Sequence, residues 1–165
     1  VFIHGRTKVQ GYGGDVDYRT IRYVKESLDI PVIGSGNILS ALLAKRMFDE
    51  TGCDAVTVAR GALGNPWIFP ELEAFFARGE ALPAPSAQEV SDVMKEHLAA
   101  CTAFHGERVG TMLFRKFFSW YTRGFANMKP LREKAFEAEI EAGMLSLIEQ
   151  VGESERVGSI VSALP

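Results

Sequence analysis

The chain has 165 residues, 47% hydrophobic and 24% charged, with a formal net charge of −3, a globular composition that excludes disordered, collagenous and coiled-coil chains. No apolar run approaches the roughly 20 residues of a membrane span and no secretory pattern opens the chain, so a soluble cytoplasmic protein is expected. Cys53 and Cys101 are far apart and form no CxxC pair, which predicts two small core residues rather than a disulfide or a metal site.

The first half alternates strand and helix. Val1 to His4 is a short apolar run ending in the polar turn His4-Gly5-Arg6-Thr7. It begins without Met and reads as the middle of a buried strand, which predicts a C-terminal piece of a longer protein. After a loop with Gly11, Gly13 and Gly14, the residues Ile21, Val24 and Leu28 recur at helical spacing. Ile30 to Ile33 predicts a second strand, and Ala41, Leu42, Met47 and Phe48 predict a helix that Gly52 stops in the left-handed conformation. Asp54 to Ala59 predicts a third strand. It leads through GALGNP into a helix from Pro66 to Ala77 that carries Trp67, Ile68, Leu72, Phe75 and Phe76. This alternation predicts parallel βα units over residues 1–79.

The stretch GEALPAP, Gly79 to Pro85, changes the pattern and supplies a linker over 80–85. Ser86 followed by Glu89 is a capping box, which satisfies free amides at a helix start. Helices are predicted over 87–104, 108–125 and 130–150, an antiparallel helical bundle domain spanning 86–151. Residues 152–165 form a weakly patterned tail.

Two glycine turns follow the second and third strands. In Gly34-Ser35-Gly36-Asn37 the missing Cβ atoms let backbone amides approach an anion, and the next helix start adds its positive end. Ala59-Arg60-Gly61 offers more amides and a guanidinium that can grip phosphate bidentately. Either turn alone is equally a tight strand-to-helix connection; the pair together, with Arg60, points to phosphate. His4 and Arg6 lie just past the first strand, on the catalytic face of a parallel barrel. There His4 is either a flavin- or substrate-contacting group or a loop cap. His97 and His105, on or beside helices of the second half, are expected to be structural or exposed.

The succession His4-Gly5-Arg6-Thr7, IPVIGSGNI and ARGALGNPWIF, followed by Arg115-Lys116-Phe117-Phe118-Ser119-Trp120-Tyr121, resembles the tRNA-dihydrouridine synthases. The likeness is to the C-terminal portion of the bacterial B-type branch and runs to about Val151. The resemblance implies the last three βα units of a (β/α)8 TIM barrel, incomplete here, followed by a helical tRNA-binding domain. It implies FMN as cofactor, reduced by NAD(P)H, with hydride passing to C6 of uridine. Ser35-Gly36-Asn37 and Ala59-Arg60 fall on the family's FMN-phosphate turns, and His4 on its histidine near the flavin and the base. Ser35 and Asn37 replace Asn and Asp of the family pattern, and Ala59 replaces Gly. The family's acid cysteine belongs to the amino-terminal half of the barrel, so no catalytic residue is expected in this chain, which alone should be inactive. The missing half, or a second copy meeting the open sheet edge, is an implied partner.

From Arg108 to Lys134 seven basic residues face one acid, Glu133. This local +6 leaves −9 for the rest of a chain at −3 and points to a polyanion. At about 100° per residue, Arg108, Arg115, Lys116 and Arg123 fall within an arc of roughly 100°, with Val109, Leu113, Phe114, Phe117, Phe118, Trp120 and Tyr121 expected on the buried side. Such a stripe is either a solvated face or, with Lys129 and Arg132, a set of tRNA phosphate contacts. Exposure of Tyr121 or Phe125 would mark a base-stacking platform. Two rivals remain open at the level of sequence: a phosphate-binding barrel of metabolism and a non-catalytic RNA-binding module.

Overall fold

The computed structural model describes residues 1–11 and 13–157. Among them the elements run β1 (Phe2–His4), α1 (Tyr18–Ser27), β2 (Ile33–Ser35), α2 (Ala41–Thr51), β3 (Ala55–Thr57), a 3-10 turn (Arg60–Ala62), α3 (Ile68–Arg78), α4 (Ala87–His105), α5 (Glu107–Tyr121), α6 (Lys129–Glu137) and α7 (Glu141–Gly152). They divide into two units: Val1–Ala62 with Pro66–Leu82, and Leu63–Asn65 with the chain from Pro83 onward.

In the first unit the strands form one parallel sheet in the order β1-β2-β3. Sequential parallel strands joined by helices are the repeating unit of α/β folds. The register aligns Phe2, Ile33 and Ala55 at one end and His4, Ser35 and Thr57 at the other. Local chemistry sets the helix ends. The Asp17 carboxylate accepts from the Arg19 and Thr20 amides, the Ser40 hydroxyl accepts from the Leu43 amide, and Gly52 at φ 68 closes α2.

β2 starts at Ile33 instead of Ile30 because the backbone before it is otherwise engaged. Pro31 has no amide, and the Val32 amide goes to the Asp54 carboxylate at 2.7 Å. Lys25 binds the same carboxylate at 2.8 Å, and Lys25 first, then the Val32 amide, hold Asp54 below its ordinary pKa. β3 covers Ala55–Thr57, shorter than the expected 54–59. Leu28, Leu42 and Phe76 are exposed rather than core residues. The core is instead Val16, Ile21, Val32, Ile38, Ala44, Met47 and Cys53. Full burial of each large side chain contributes about 1.5–3 kcal/mol.

In the second unit α4 packs on α5 and α7, and α5 also meets α6 and α7. The capping box forms: the Glu89 amide donates to the Ser86 hydroxyl, and the Ser86 amide to the Glu89 carboxylate. The predicted helix over 130–150 is two helices. Ala138 (ψ 125) and Ile140 (ψ 148) are extended, and the Arg115 guanidinium takes the Ala138 carbonyl with Nε at 2.9 Å and Nη2 at 2.6 Å. A long-range side chain therefore stabilises a break that no Gly or Pro announces.

α5 buries Gly110, Thr111, Phe114, Phe118 and Tyr121. Val109 and Leu113, expected inside, are about half exposed. The reason is close helix contact: a Cβ on Gly110 would lie 2.5 Å from the Cys101 carbonyl oxygen, so the small residues mark the seam and rotate the aliphatic pair outward. Beside this seam Thr111 is fully buried, and its hydroxyl has no hydrogen-bond partner among the described residues. A buried unsatisfied hydroxyl costs about 1–3 kcal/mol. Thr111→Val is therefore expected to raise stability by about 1 kcal/mol, read as an increased urea midpoint; an unchanged or lower midpoint would show that the hydroxyl is satisfied in solution.

Part of the expected weak tail is anchored. Arg156 pairs with Phe125 in an antiparallel bridge, lies over its ring, and donates to the Pro85 carbonyl. The tail residues from 158 on lie outside the described residues.

Candidate functional site

The strand register brings His4, Ser35 and Thr57 into one row at the carboxyl ends of the sheet. Beyond that row is a cleft of about 180 Å³ lined by His4, Ser35, Gly36, Asn37, Ala59 and Arg60, and also by Thr57, Ile38 and Leu39. All six residues that the sequence assigns to a cofactor thus meet in one place. The other three carry no such signal in the sequence. Thr57 is accessible in principle, because it pairs with Ser35 across the ladder once the register is fixed.

Backbone shape here follows from residue type. Gly36 has φ 143, and a Cβ on it would lie 2.9 Å from Val16 Cγ1, so a side chain is excluded twice over. Asn37 follows at φ 51, a left-handed conformation that Asn tolerates better than most residues. α2 begins four residues after Asn37, at Ala41, and the Ser40 hydroxyl already takes the Leu43 amide. The helix start is therefore not directly behind the turn, and one of its amides is in use. Similarly, the Ala62 amide in the second turn donates to the Ala59 carbonyl at 3.1 Å.

The cation geometry is long-range. Asn37 Oδ1 accepts from Arg60 Nη2 at 2.5 Å and from Arg6 Nη1 at 3.2 Å. Arg6 is 8% exposed and clasps the Gly14 carbonyl with Nε at 3.0 Å and Nη2 at 2.7 Å. The result is a small cleft at the strand ends with the Arg60 guanidinium and Gly36 in its wall. It suits an anionic head group, being smaller than the roughly 300–1,000 Å³ of a site for a whole cofactor.

The second unit distributes its basic residues unevenly. Arg115 is occupied with Ala138. Arg132 donates from Nε to the Thr122 hydroxyl at 2.9 Å and from Nη2 to its carbonyl at 2.7 Å, and burial holds its pKa below the ordinary value. Arg123 is half-buried and lowered in the same way, with the Arg132 charge adding to the effect. Arg108, Lys116 and Lys129 are exposed. Arg108 lies 3.9 Å from Glu139 and Lys129 3.9 Å from Glu133, separations at which exposed pairs hold little energy. The Lys116 ammonium sits 5.0 Å from the Trp120 ring centroid. Tyr121 and Phe125 are 5% and 7% exposed, so both belong to the core. His97 is half-buried: its Nδ1 lies 3.2 Å from the Tyr121 hydroxyl, its ring packs on Phe117, and desolvation lowers its pKa. His105 is exposed. Cys53 is buried and Cys101 half-buried. No helix among the described residues is long and apolar enough to cross a membrane.

A cleft with a guanidinium at the carboxyl ends of sequential parallel strands places the candidate site of an α/β protein where such folds bind their ligands. Residues 1–154 match the family described as dihydrouridine synthase, and the chain belongs to it. It is 41% identical over 145 residues to tRNA-dihydrouridine synthase B of Xanthomonas axonopodis pv. citri, covering 88% of this chain and 44% of that protein. To tRNA-dihydrouridine synthase B of Pseudomonas putida it is 42% identical over 119 residues, 72% of this chain and 35% of the relative. A probable tRNA-dihydrouridine synthase of Rickettsia conorii is 39% identical over 132 residues, 80% and 40%. The chain thus spans less than half the length of the curated relatives it matches.

Proposed function

We propose that this chain is the C-terminal portion of an enzyme that reduces uridine to dihydrouridine in tRNA, holding the phosphate end of FMN in its first unit and tRNA on its second. The observation that carries this reading is the convergence of Arg60, Asn37 and the two glycine turns in one small cleft at the strand ends. Ser35, Gly36, Asn37, Ala59 and Arg60 would receive the FMN phosphate, and His4, on the same rim, would face the ring and the target base. When bound, FMN supplies the hydride for the uracil double bond, renewed from NAD(P)H. The proton for C5 would come from a cysteine outside this chain, because Cys53 is enclosed in the core and Cys101 lies on α4 of the helical unit. The isolated chain is therefore inactive, and β1 and β3 are the edges at which the remaining barrel strands, or a second copy, would pair. A tRNA substrate implies a cytoplasmic setting.

On the helical unit, Arg108, Lys116 and Lys129 are the side chains that reach backbone phosphates, with Arg123 beside them. Arg115 and Arg132 shape the surface by holding carbonyls. Recognition of this kind is electrostatic and reads shape. It separates the two sets of cations in one experiment. Lys116→Ala and Lys129→Ala are each expected to lower the salt dependence of tRNA binding by about one unit of slope without moving the melting temperature. Arg132→Ala is expected to lower the melting temperature, because it strips partners from the fully buried Thr122. Quenching of flavin fluorescence on adding the purified chain reports the cleft. Binding of tRNA without FMN would favour an RNA-binding module, and binding of neither would remove the proposal.

A further inference from the structure

The cleft contains a guanidinium that must be held still to be useful. Arg60 stands on a single 3-10 turn, and its side chain loses about 2 kcal/mol of rotamer freedom when fixed. Asn37 Oδ1 accepts from it and helps to hold it in place. That atom is itself shared with Arg6, which is 31 residues away in sequence from Asn37 and does not line the cleft.

We infer that Arg6 and Asn37 form a relay that positions Arg60 for a bound phosphate, Arg6 acting through Asn37 and not on the anion. The inference rests on reading the cleft as a phosphate site and adds a residue that this reading does not include. Its geometry is a chain of bonds: the Gly14 carbonyl accepts twice from Arg6, Arg6 Nη1 donates to Asn37 Oδ1, and Arg60 Nη2 donates to the same oxygen. Arginine has donors only, so the two guanidiniums dictate which end of the carboxamide faces them. Gly14, at φ 74, exposes its carbonyl to Arg6 from the loop after β1, and Gly5, whose Cβ would lie 2.4 Å from Val16 Cγ1, fixes the start of that loop. The relay therefore ties the β1, β2 and β3 connections together at one atom.

The choice of a neutral acceptor has an electrostatic consequence. A carboxamide oxygen takes both donors without adding a formal negative charge, so neither guanidinium is neutralised by the group that orients it. A carboxylate at the same place would accept the same bonds and add a formal negative charge. Orientation and charge are thus separable at position 37, and the fork of Arg6, which bonds two acceptors at once, is not replaceable by the single ammonium of lysine.

The test measures affinity for FMN and for inorganic phosphate in the full chain, together with ¹⁵N relaxation of the Arg60 Nε–H in the ligand-free state. Asn37→Gly relieves the φ 51 backbone while removing the acceptor. Arg6→Lys retains charge and removes the fork. Each is expected to mobilise Arg60 Nε–H and to weaken phosphate and FMN binding about tenfold, with the double variant no weaker than Asn37→Gly alone because the residues act in series. Asn37→Asp retains an acceptor oxygen and is expected to keep Arg60 ordered. An ordered Arg60 in Asn37→Gly, full affinity in Arg6→Lys, or additive losses in the double variant would overturn the relay. A wild-type chain that binds neither ligand would instead remove the phosphate reading, and the relaxation measurement would still decide whether Arg6 orders Arg60. If Arg6→Lys fails to fold by circular dichroism, Asn37→Gly and Asn37→Asp decide the matter through the same Arg60 signal.

Discussion

Gly64→Ala is expected to destabilise the helical unit by about 2–5 kcal/mol, combining about 1–2 for a left-handed L-residue and about 1–3 for overpacking. Gly64 has φ 69, and its Cβ would lie 2.4 Å from the Trp120 carbonyl carbon, 2.5 Å from the Tyr121 nitrogen and 2.7 Å from the Trp120 oxygen. These are backbone atoms in the last turn of α5, and no rotamer change moves them aside. Set against a typical domain stability of about 5–15 kcal/mol, the loss is large. Gly79 provides the control: it has the same φ of 69 with nothing within 4 Å of a Cβ, so Gly79→Ala should show the backbone penalty alone. Urea unfolding of both variants measures the difference. Equal midpoints would mean that the contact with Trp120 and Tyr121 is absent in solution.

Gly61→Ala is expected to damage the sheet unit and the anion cleft together. A Cβ there would fall 2.1 Å from the Ile38 carbonyl oxygen and 2.9 Å from Ile68 Cδ1. Overpacking of this kind costs about 1–3 kcal/mol, occasionally more. The turn is only Arg60–Ala62, so relief of the clash moves Arg60 away from Asn37. Loss of a charge-assisted hydrogen bond of about 1.5–3 kcal/mol corresponds to a fall of about tenfold or more in phosphate affinity. A melt and an FMN titration on the same sample test both parts. A destabilised chain that binds as tightly as wild type would dissociate the turn from the ligand.

Features governed by neighbours in sequence are legible in the chain itself. Gly52 ends α2, and Ser86 and Glu89 cap α4, because each depends on a few adjacent residues. The six cleft residues of the first unit are legible too, since strand-to-helix glycine turns in parallel units fall at one end of the sheet. Features that depend on distant partners are not. The break between α6 and α7 is stabilised by Arg115, which the sequence offers only as another cation of a basic stripe. Arg6 reads as a neighbour of His4 until Gly14 and Asn37 are folded around it. Val109 and Leu113 face outward because Gly110, which has no side chain, sets the seam between α4 and α5.

The segment from Arg60 to Asn65 serves both units within six residues, Arg60–Ala62 belonging to the first and Leu63–Asn65 to the second. Cleaving the GEALPAP stretch therefore does not yield two whole modules. A helical piece beginning at Ser86 leaves behind the tripeptide whose glycine seats against the Trp120 and Tyr121 backbone, and the upstream piece carries that tripeptide with nothing to cover it. Grafting the helical unit onto another scaffold requires transplanting two separate stretches of chain, the short one supplied as a loop from the host.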